Sequence, residues 1–351
     1  MTSIMRIVGA GAITPIGVGV RQTDAAFRAN LGGFRQSSII GEDNPTVMAL
    51  VPDDAIAAAM QSAAPLLRSP WQTRLVALAS VALAEAMPEA KDPVLVMLGV
   101  PDARETSDLP AAAVLWAALH RVTGLPIDEQ RSQLLPLGRA SMFAAYRSAE
   151  SACRQDPTRI VVCGAVDSYA DPDRVAREHG RKRTLGGDLP NDGRALGEAA
   201  GFLALQAAEK RRRESVEVLG GAMGQDRGHR FGTEPARGEG IADAIEQLRS
   251  HVAISRPIAT VWAGMTGESF DAKQWGVAAL RHRDVFDPRV RIEHPADRIG
   301  DAGAGLGALL FVAAQARLAR AHRPGPALLW AASDHGACGC AVMRNEADFG
   351  A

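Results

Sequence analysis

The sequence predicts an α/β protein, and three observations predict it. Short apolar runs alternate with helix-period segments in both halves of the 351 residues. At least one run, Arg159 to Ala165, is apolar on both faces, as expected of a parallel-type strand covered by helices. Glycines stand where strands give way to helices, as at Gly9 to Gly17 and Gly300 to Gly305.

Taken in order, Ile7 to Ile13 reads as a short apolar strand, Thr14-Pro15-Ile16-Gly17 as its turn, and Arg21 to Asn30 as a helix. Residues 31–68 hold no long periodic segment. Ser69-Pro70 opens a helix from Trp71 to Met87, since serine caps and proline suits the first turn. A strand at Val94 to Leu98 and an amphipathic helix at Leu109 to Val122 follow. Leu134-Leu135-Pro136 leads through Gly138-Arg139-Ala140-Ser141 into a small-residue helix, Met142 to Arg154. After the strand at Arg159 to Ala165, residues 171–195 read as a polar loop. Gly197 to Gly201 then enters the strand Phe202 to Leu205, and Glu209 to Glu214 reads as a charged helix end. The second half repeats the alternation. Strands are expected at Glu217 to Ala222, Ile258 to Ala263, Ala327 to Ala332 and Cys338 to Arg344. Helices are expected at Gly240 to Val252, Asp271 to Arg281 and from Gly300 to about Arg320.

Composition removes several function classes. With 39 basic against 40 acidic residues and a net charge of -1, no large single-sign field attracts nucleic acid or an anionic membrane. Apolar runs such as Leu306 to Ala316 are shorter than the ~20 residues a bilayer requires. Met1 to Ala10 lacks the pattern of a secretory leader, so a cytoplasmic protein is expected. Cys153, Cys163, Cys338 and Cys340 match neither a disulfide framework nor a zinc site, and the Cys338-Gly339-Cys340 pair reads as core packing. No metal is expected and no cofactor: there is no phosphate loop, and Gly9-Ala10-Gly11 lacks the third glycine and the acidic residue of a dinucleotide fingerprint. The runs Arg181 to Arg183 and Arg211 to Arg213 read as solvated faces.

Four stretches carry a resemblance. Val8-Gly9-Ala10-Gly11-Ala12-Ile13-Thr14-Pro15-Ile16-Gly17, Cys163-Gly164-Ala165-Val166-Asp167, Asn191 to Gly201 and Gly300-Asp301-Ala302-Gly303-Ala304 resemble, in the right order, segments of the β-ketoacyl synthase branch of the thiolase-like superfamily. The resemblance implies a five-layer αβαβα fold from two pseudo-duplicated halves, residues 1–212 and 213–351, paired as a homodimer. It also locates catalytic positions, where the match fails. The family's nucleophilic cysteine, activated at a helix N-terminus, falls on Ser141. Its first histidine falls in Val261 to Glu268, around Thr266, where none occurs. Its second falls on Asp297, with His294 three residues earlier. His335, in Ser333-Asp334-His335-Gly336, occupies the loop over the family's pocket and could pair with Asp334 or His294 there.

Ser141, Thr266, His294, Asp297 and His335 are thus the candidate residues of a degenerate pocket. Gly138-Arg139-Ala140-Ser141-Met142 does not form the G-x-S-x-G elbow of a serine hydrolase. The implied function is a non-catalytic accessory or adaptor with a protein partner. A narrower similarity, to thiolase-like proteins of type VI secretion, rests on Val166-Asp167-Ser168-Tyr169, Thr266-Gly267-Glu268, Ala272 to Gly276 and His294-Pro295-Ala296; it implies a role beside effector-loading proteins. Two alternatives stand against it: a divergent acyl-transfer or acyl-hydrolysing enzyme using Ser141, and a chain-length-factor-like partner of an active ketosynthase.

Overall fold

A computed structural model describes residues 4–43, 45–186, 192–208, 215–320 and 325–345. Its first strand set comprises β1 (Met5–Thr14), β2 (Leu95–Val100), β3 (Gln133–Pro136), β4 (Val161–Ser168) and β5 (Leu196–Ala207), laid side by side as β1-β5-β4-β2-β3. The second comprises β6 (Val216–Gln225), β7 (Ile258–Ala263), β8 (Phe286–Glu293), β9 (Ala327–Ala332) and β10 (Ala337–Asn345), in the order β6-β10-β9-β7-β8. Adding five to each label of the first order gives the second. Directions repeat too: β2 runs parallel to β3 and β4, as β7 does to β8 and β9, and the remaining neighbours within each set are antiparallel. The sets join where Met5 and Arg6 of β1 pair with Val218 and Glu217 of β6.

Helices α1 (Val20–Arg28), α2 (Pro70–Ala86), α3 (Ala112–Thr123), α4 (Ser141–Gln155) and α5 (Pro172–Gly180) belong to the first part, and α6 (Glu239–His251), α7 (Ser269–Arg281) and α8 (Gly303–Leu318) to the second. Helices α2 and α3 cover one outer face, α6 and α7 the other, and α4 and α8 fill the middle, giving five layers. Three apolar clusters follow these layers: one holds Leu75, Leu78, Trp116 and Phe202, a central one Phe143, Tyr146, Leu203 and Phe311, and the third Ile245, Trp275, Trp330 and Val342. In the centre the Phe143 and Phe311 rings meet at 5.1 Å.

The sequence explains these placements locally. Ser69 Oγ accepts the Gln72 N–H at 3.1 Å, and Pro70 starts α2. That helix lies directly on β1 because Gly9 and Gly11 have no side chain: a Cβ there would come 2.2 Å from Ala86 O and 2.0 Å from Ala82 O. Helix α8 is buried on every side except at Gln315 and Arg317, which explains its nearly uniform apolar sequence.

Three segments differ from the sequence expectation. The supposed loop 171–195 contains α5, whose Asp171 accepts the Asp173 and Arg174 N–H groups and whose first residue is Pro172; its charged composition conceals a normal start signal. Residues 31–68 contain a strand at Thr46–Ala49 and a helix at Ala57–Ala63. Strand β8 is an edge, and its alternating Arg289, Arg291 and Glu293 hide it from an apolar-run criterion. The charged segment Glu209 to Glu214, the boundary between residues 212 and 213, Arg211 to Arg213 and Asn191 lie outside the described residues. The four cysteines are buried and free, and burial pushes the Cys153 thiol up to about 11.

Candidate functional site

Helices α4 and α8 start close together in the middle layer. Strand β3 ends at Pro136, and Gly138, at φ +59°, turns the chain into a short 3-10 segment and then α4. Leading into α8, Asp301 is fixed by backbone bonds to β5 and the residue before it: its N–H donates to Ala195 O at 2.8 Å and its O accepts from Gly197 N at 2.9 Å. Helix N-termini carry unpaired N–H groups and favour anions. Here the protein's own groups take those donors. Asp301 Oδ1 accepts from Gly303 N at 2.9 Å, Asp167 Oδ2 from Ala304 N at 3.1 Å, and Ser333 Oγ from Ala140 N at 3.0 Å.

The space between the two helix starts is filled by ions. Arg139, though at a helix N-terminus, is 4% exposed. It donates to Asp301 Oδ2 at 2.8 Å, to Asp334 Oδ1 at 2.7 Å and to Ala332 O at 2.8 Å. Arg194 is fully buried; it donates to Glu268 and Glu178, each at 2.7 Å, and its Nε lies 2.8 Å from Asp301 Oδ2. Arg183 grips Glu268 with two bonds, at 2.9 and 2.8 Å, and Asp334 with two more, at 2.9 and 3.0 Å. Arg230 reaches within 2.9 Å of Glu268 from the loop after β6 and lies over the Phe270 ring. Four guanidinium groups therefore face four carboxylates, those of Glu178, Glu268, Asp301 and Asp334.

The electrostatics follow from this packing. Burial works to raise the Glu268 pKa, but Arg194, Arg183 and Arg230 outweigh it and bring it down to about 2. Asp334 is likewise held well below the usual carboxylate range, because Arg139, Arg194 and Arg183 overcome its burial. Asp271 behaves oppositely: burial raises it, only partly offset by Arg139 and by the Thr266 hydroxyl at 2.8 Å. What remains open beside Gly138, Asp102 and Asp334 is a cavity of about 30 Å³, space for a water molecule or two. Small-molecule sites commonly offer about 300–1,000 Å³. A wider concavity, about 1000 Å³, lies at the opposite ends of β2 and β4, against Asp92, Asp128 and Arg159, and touches none of these residues.

The candidates from sequence divide. Ser141 is wholly buried, and among the described residues its Oγ has no hydrogen-bond partner. It faces β2, where a Cβ at Gly99 would come within 2.3 Å of it, and it does not border the small cavity, whereas Gly138 and Arg139 do. His294 and Asp297 form a partly exposed pair of their own, 3.8 Å apart. Thr266 does sit at the cluster, bonded to Asp271 and 3.4 Å from Glu268. His335 flanks it, but it bonds Glu105 rather than Asp334 or His294, and its ring lies against Phe231.

Sequence reasoning did not single out Arg183, Arg194, Glu268 and Asp301. Arg183 was read as part of a solvated run, yet it is 5% exposed. One signal was available: an arginine at a helix N-terminus opposes the helix dipole and, if buried, requires an acid.

No family model matches the sequence, and no curated protein matches it either. Solved structures do. A type II polyketide acyl-carrier protein complex with its ketosynthase, bound to the hexaketide, contains a chain that superposes with a TM-score of 0.76 at 15% identity, over 98% of this chain and 100% of that one. The ishigamide ketosynthase/chain length factor gives 0.72 at 18% identity, with the same coverage. The ketosynthase from module 6 of the bacillaene synthase of Bacillus subtilis 168 gives 0.75 at 14% identity, over 97% of this chain and 72% of that one. Identities this low speak to architecture alone, and over nearly its whole length that architecture is the thiolase-like fold of the ketosynthases.

Proposed function

We propose that this chain is a non-catalytic, cytoplasmic accessory protein that uses a ketosynthase-like fold to hold a protein partner. One observation carries the reading: the space between the starts of α4 and α8 is occupied by a charge-balanced ion cluster, leaving about 30 Å³. An acyl chain does not fit there, and three N–H donors at the two helix starts, those of Gly303, Ala304 and Ala140, are already bonded to Asp301, Asp167 and Ser333. Ser141 has no neighbouring base and no access to solvent, which weighs against an acyl-transfer enzyme built on it.

Two partners suit this reading. The motif similarities favour the effector-loading side of type VI secretion. The structural likeness to a ketosynthase/chain length factor favours an active ketosynthase, with this chain in the chain-length-factor position. A second copy is also expected, and the two sheet edges support it. Edge β8 is blunted by Pro288, Arg289, Arg291 and an irregular register, whereas β3 pairs evenly with β2 and carries no charge.

The test is turnover of malonyl and acyl thioesters by the isolated chain. We expect no decarboxylation, condensation or hydrolysis above the buffer rate. Turnover that disappears in Ser141→Ala would refute the reading.

A further inference from the structure

Six of the eight charges of the ion cluster are segregated by origin, the exceptions being Glu178, from α5, and Arg230, from the loop after β6. Arg139, Arg183 and Arg194 all come from the part of the chain that builds the first strand set. Glu268, Asp301 and Asp334, which receive most of their bonds, come from the second: from the start of α7, the turn before α8 and the turn between β9 and β10. Two further contacts cross between the halves: Ala140 N donates to Ser333 Oγ in the same sense, and His335 bonds Glu105 in the reverse one. The halves also share the central apolar core, where Phe143 meets Phe311, and at the sheet junction the pairs Met5 with Val218 and Arg6 with Glu217.

From this segregation we infer that the residues filling the site form an electrostatic clasp that locks the two halves of the fold together. A cluster that merely filled space would have no need to separate cations and anions by half. Self-neutralising pairs within each half would fill it as well, and apolar side chains of similar volume are often as stable as buried ion pairs. With three of the four guanidinium groups on one half and three of the four carboxylates on the other, opening the halves would leave an excess of buried cations on the first and of buried anions on the second. Among these eight charges only Glu178, with Arg183 and Arg194, and Arg230, with Glu268, pair within a half. The clasp therefore opposes separation specifically. Arg230 pairs with Glu268 within the second half and so is not a tie between halves; burial and the nearby Arg183 lower its pKa.

The inference does not rest on the absence of catalysis, so its test reads coupling between halves and not acyl chemistry. Urea unfolding is followed by hydrogen exchange in peptides from β2 and β4 for the first half and from β9 and β10 for the second. In the native sequence both sets should lose protection at one midpoint. In Arg183→Met the two midpoints should separate by about 1 M urea, and in the milder Asp334→Asn by less. Should Arg183→Met fail to fold, Asp334→Asn alone decides. If the midpoints fall together in the folded variants, the cluster is packing and not a clasp.

Discussion

Replacing Arg194 by methionine removes a fully buried cation while keeping much of its volume. Three carboxylates lose a partner at 2.7–2.8 Å: Glu268, Glu178 and Asp301. Removing one member of a buried ion pair costs about 3–5 kcal/mol. Each of the three acids keeps another guanidinium, Arg183 for Glu268, Arg181 for Glu178 and Arg139 for Asp301. The loss should therefore fall near the lower end, about 3 kcal/mol. At about 2 °C per kcal/mol for a chain of this size, the thermal midpoint drops by roughly 6 °C. The sign of the pH dependence identifies the cause. In the native chain the depressed Glu268 pKa contributes stability above about pH 4.5, and this is lost as pH falls toward 2. In the variant Glu268 keeps Arg183 and Arg230 but loses Arg194, so its pKa is depressed less and it takes up a proton at higher pH than in the native chain. The gap between native and variant should accordingly be narrower at about pH 3 than at about pH 7. Urea titrations by circular dichroism at both pH values measure it. A deficit under 0.5 kcal/mol, or one that does not change with pH, would refute the picture of a charged, buried cluster.

Other expectations follow from the same geometry. The native chain should hold constant stability from about pH 7 to 5 and lose it steeply between about pH 4.5 and 2, as Glu268 and Asp334 are protonated against their arginines. Asp271, raised by burial, contributes in the opposite sense, and urea midpoints across this range trace the sum. Phe311→Ala, in the central layer against Phe143, should cost about 3–5 kcal/mol by chemical unfolding. His294→Ala and Asp297→Ala, at a partly exposed pair away from the cluster, should change stability by less than about 1 kcal/mol. Gly138→Ala, forced to φ +59°, should lose about 1–2 kcal/mol, even though the added Cβ would meet Ser333 and Asp102 only at ordinary contact distances of 3.4 and 3.7 Å.

The fold was legible because its signals are local and redundant. The apolar β4, the capped start of α2 and the glycines that let β1 touch α2 each specify one element, and their order specifies the architecture. The site was less legible. Family motifs led to Ser141, but the chain turns at Gly138, three residues earlier, and directs Ser141 toward β2. The same motifs led to Asp297, whereas the acid that faces Arg139 is Asp301, four residues later on the rigid turn into α8. Arg183 could not be recognised as buried, since one arginine in Arg181-Lys182-Arg183 looks like any other until the fold brings Glu268 and Asp334 to it from 85 and 151 positions away. Long-range charge pairing leaves no periodic trace in sequence.

Intact-mass analysis after incubation with an acyl thioester and a serine-directed phosphonate tests most directly whether the space between the starts of α4 and α8 is closed to acyl chemistry. The predicted result is an unchanged mass for the native chain and for Ser141→Ala alike. A stoichiometric acyl or phosphonyl adduct on Ser141, absent from Ser141→Ala, would contradict it.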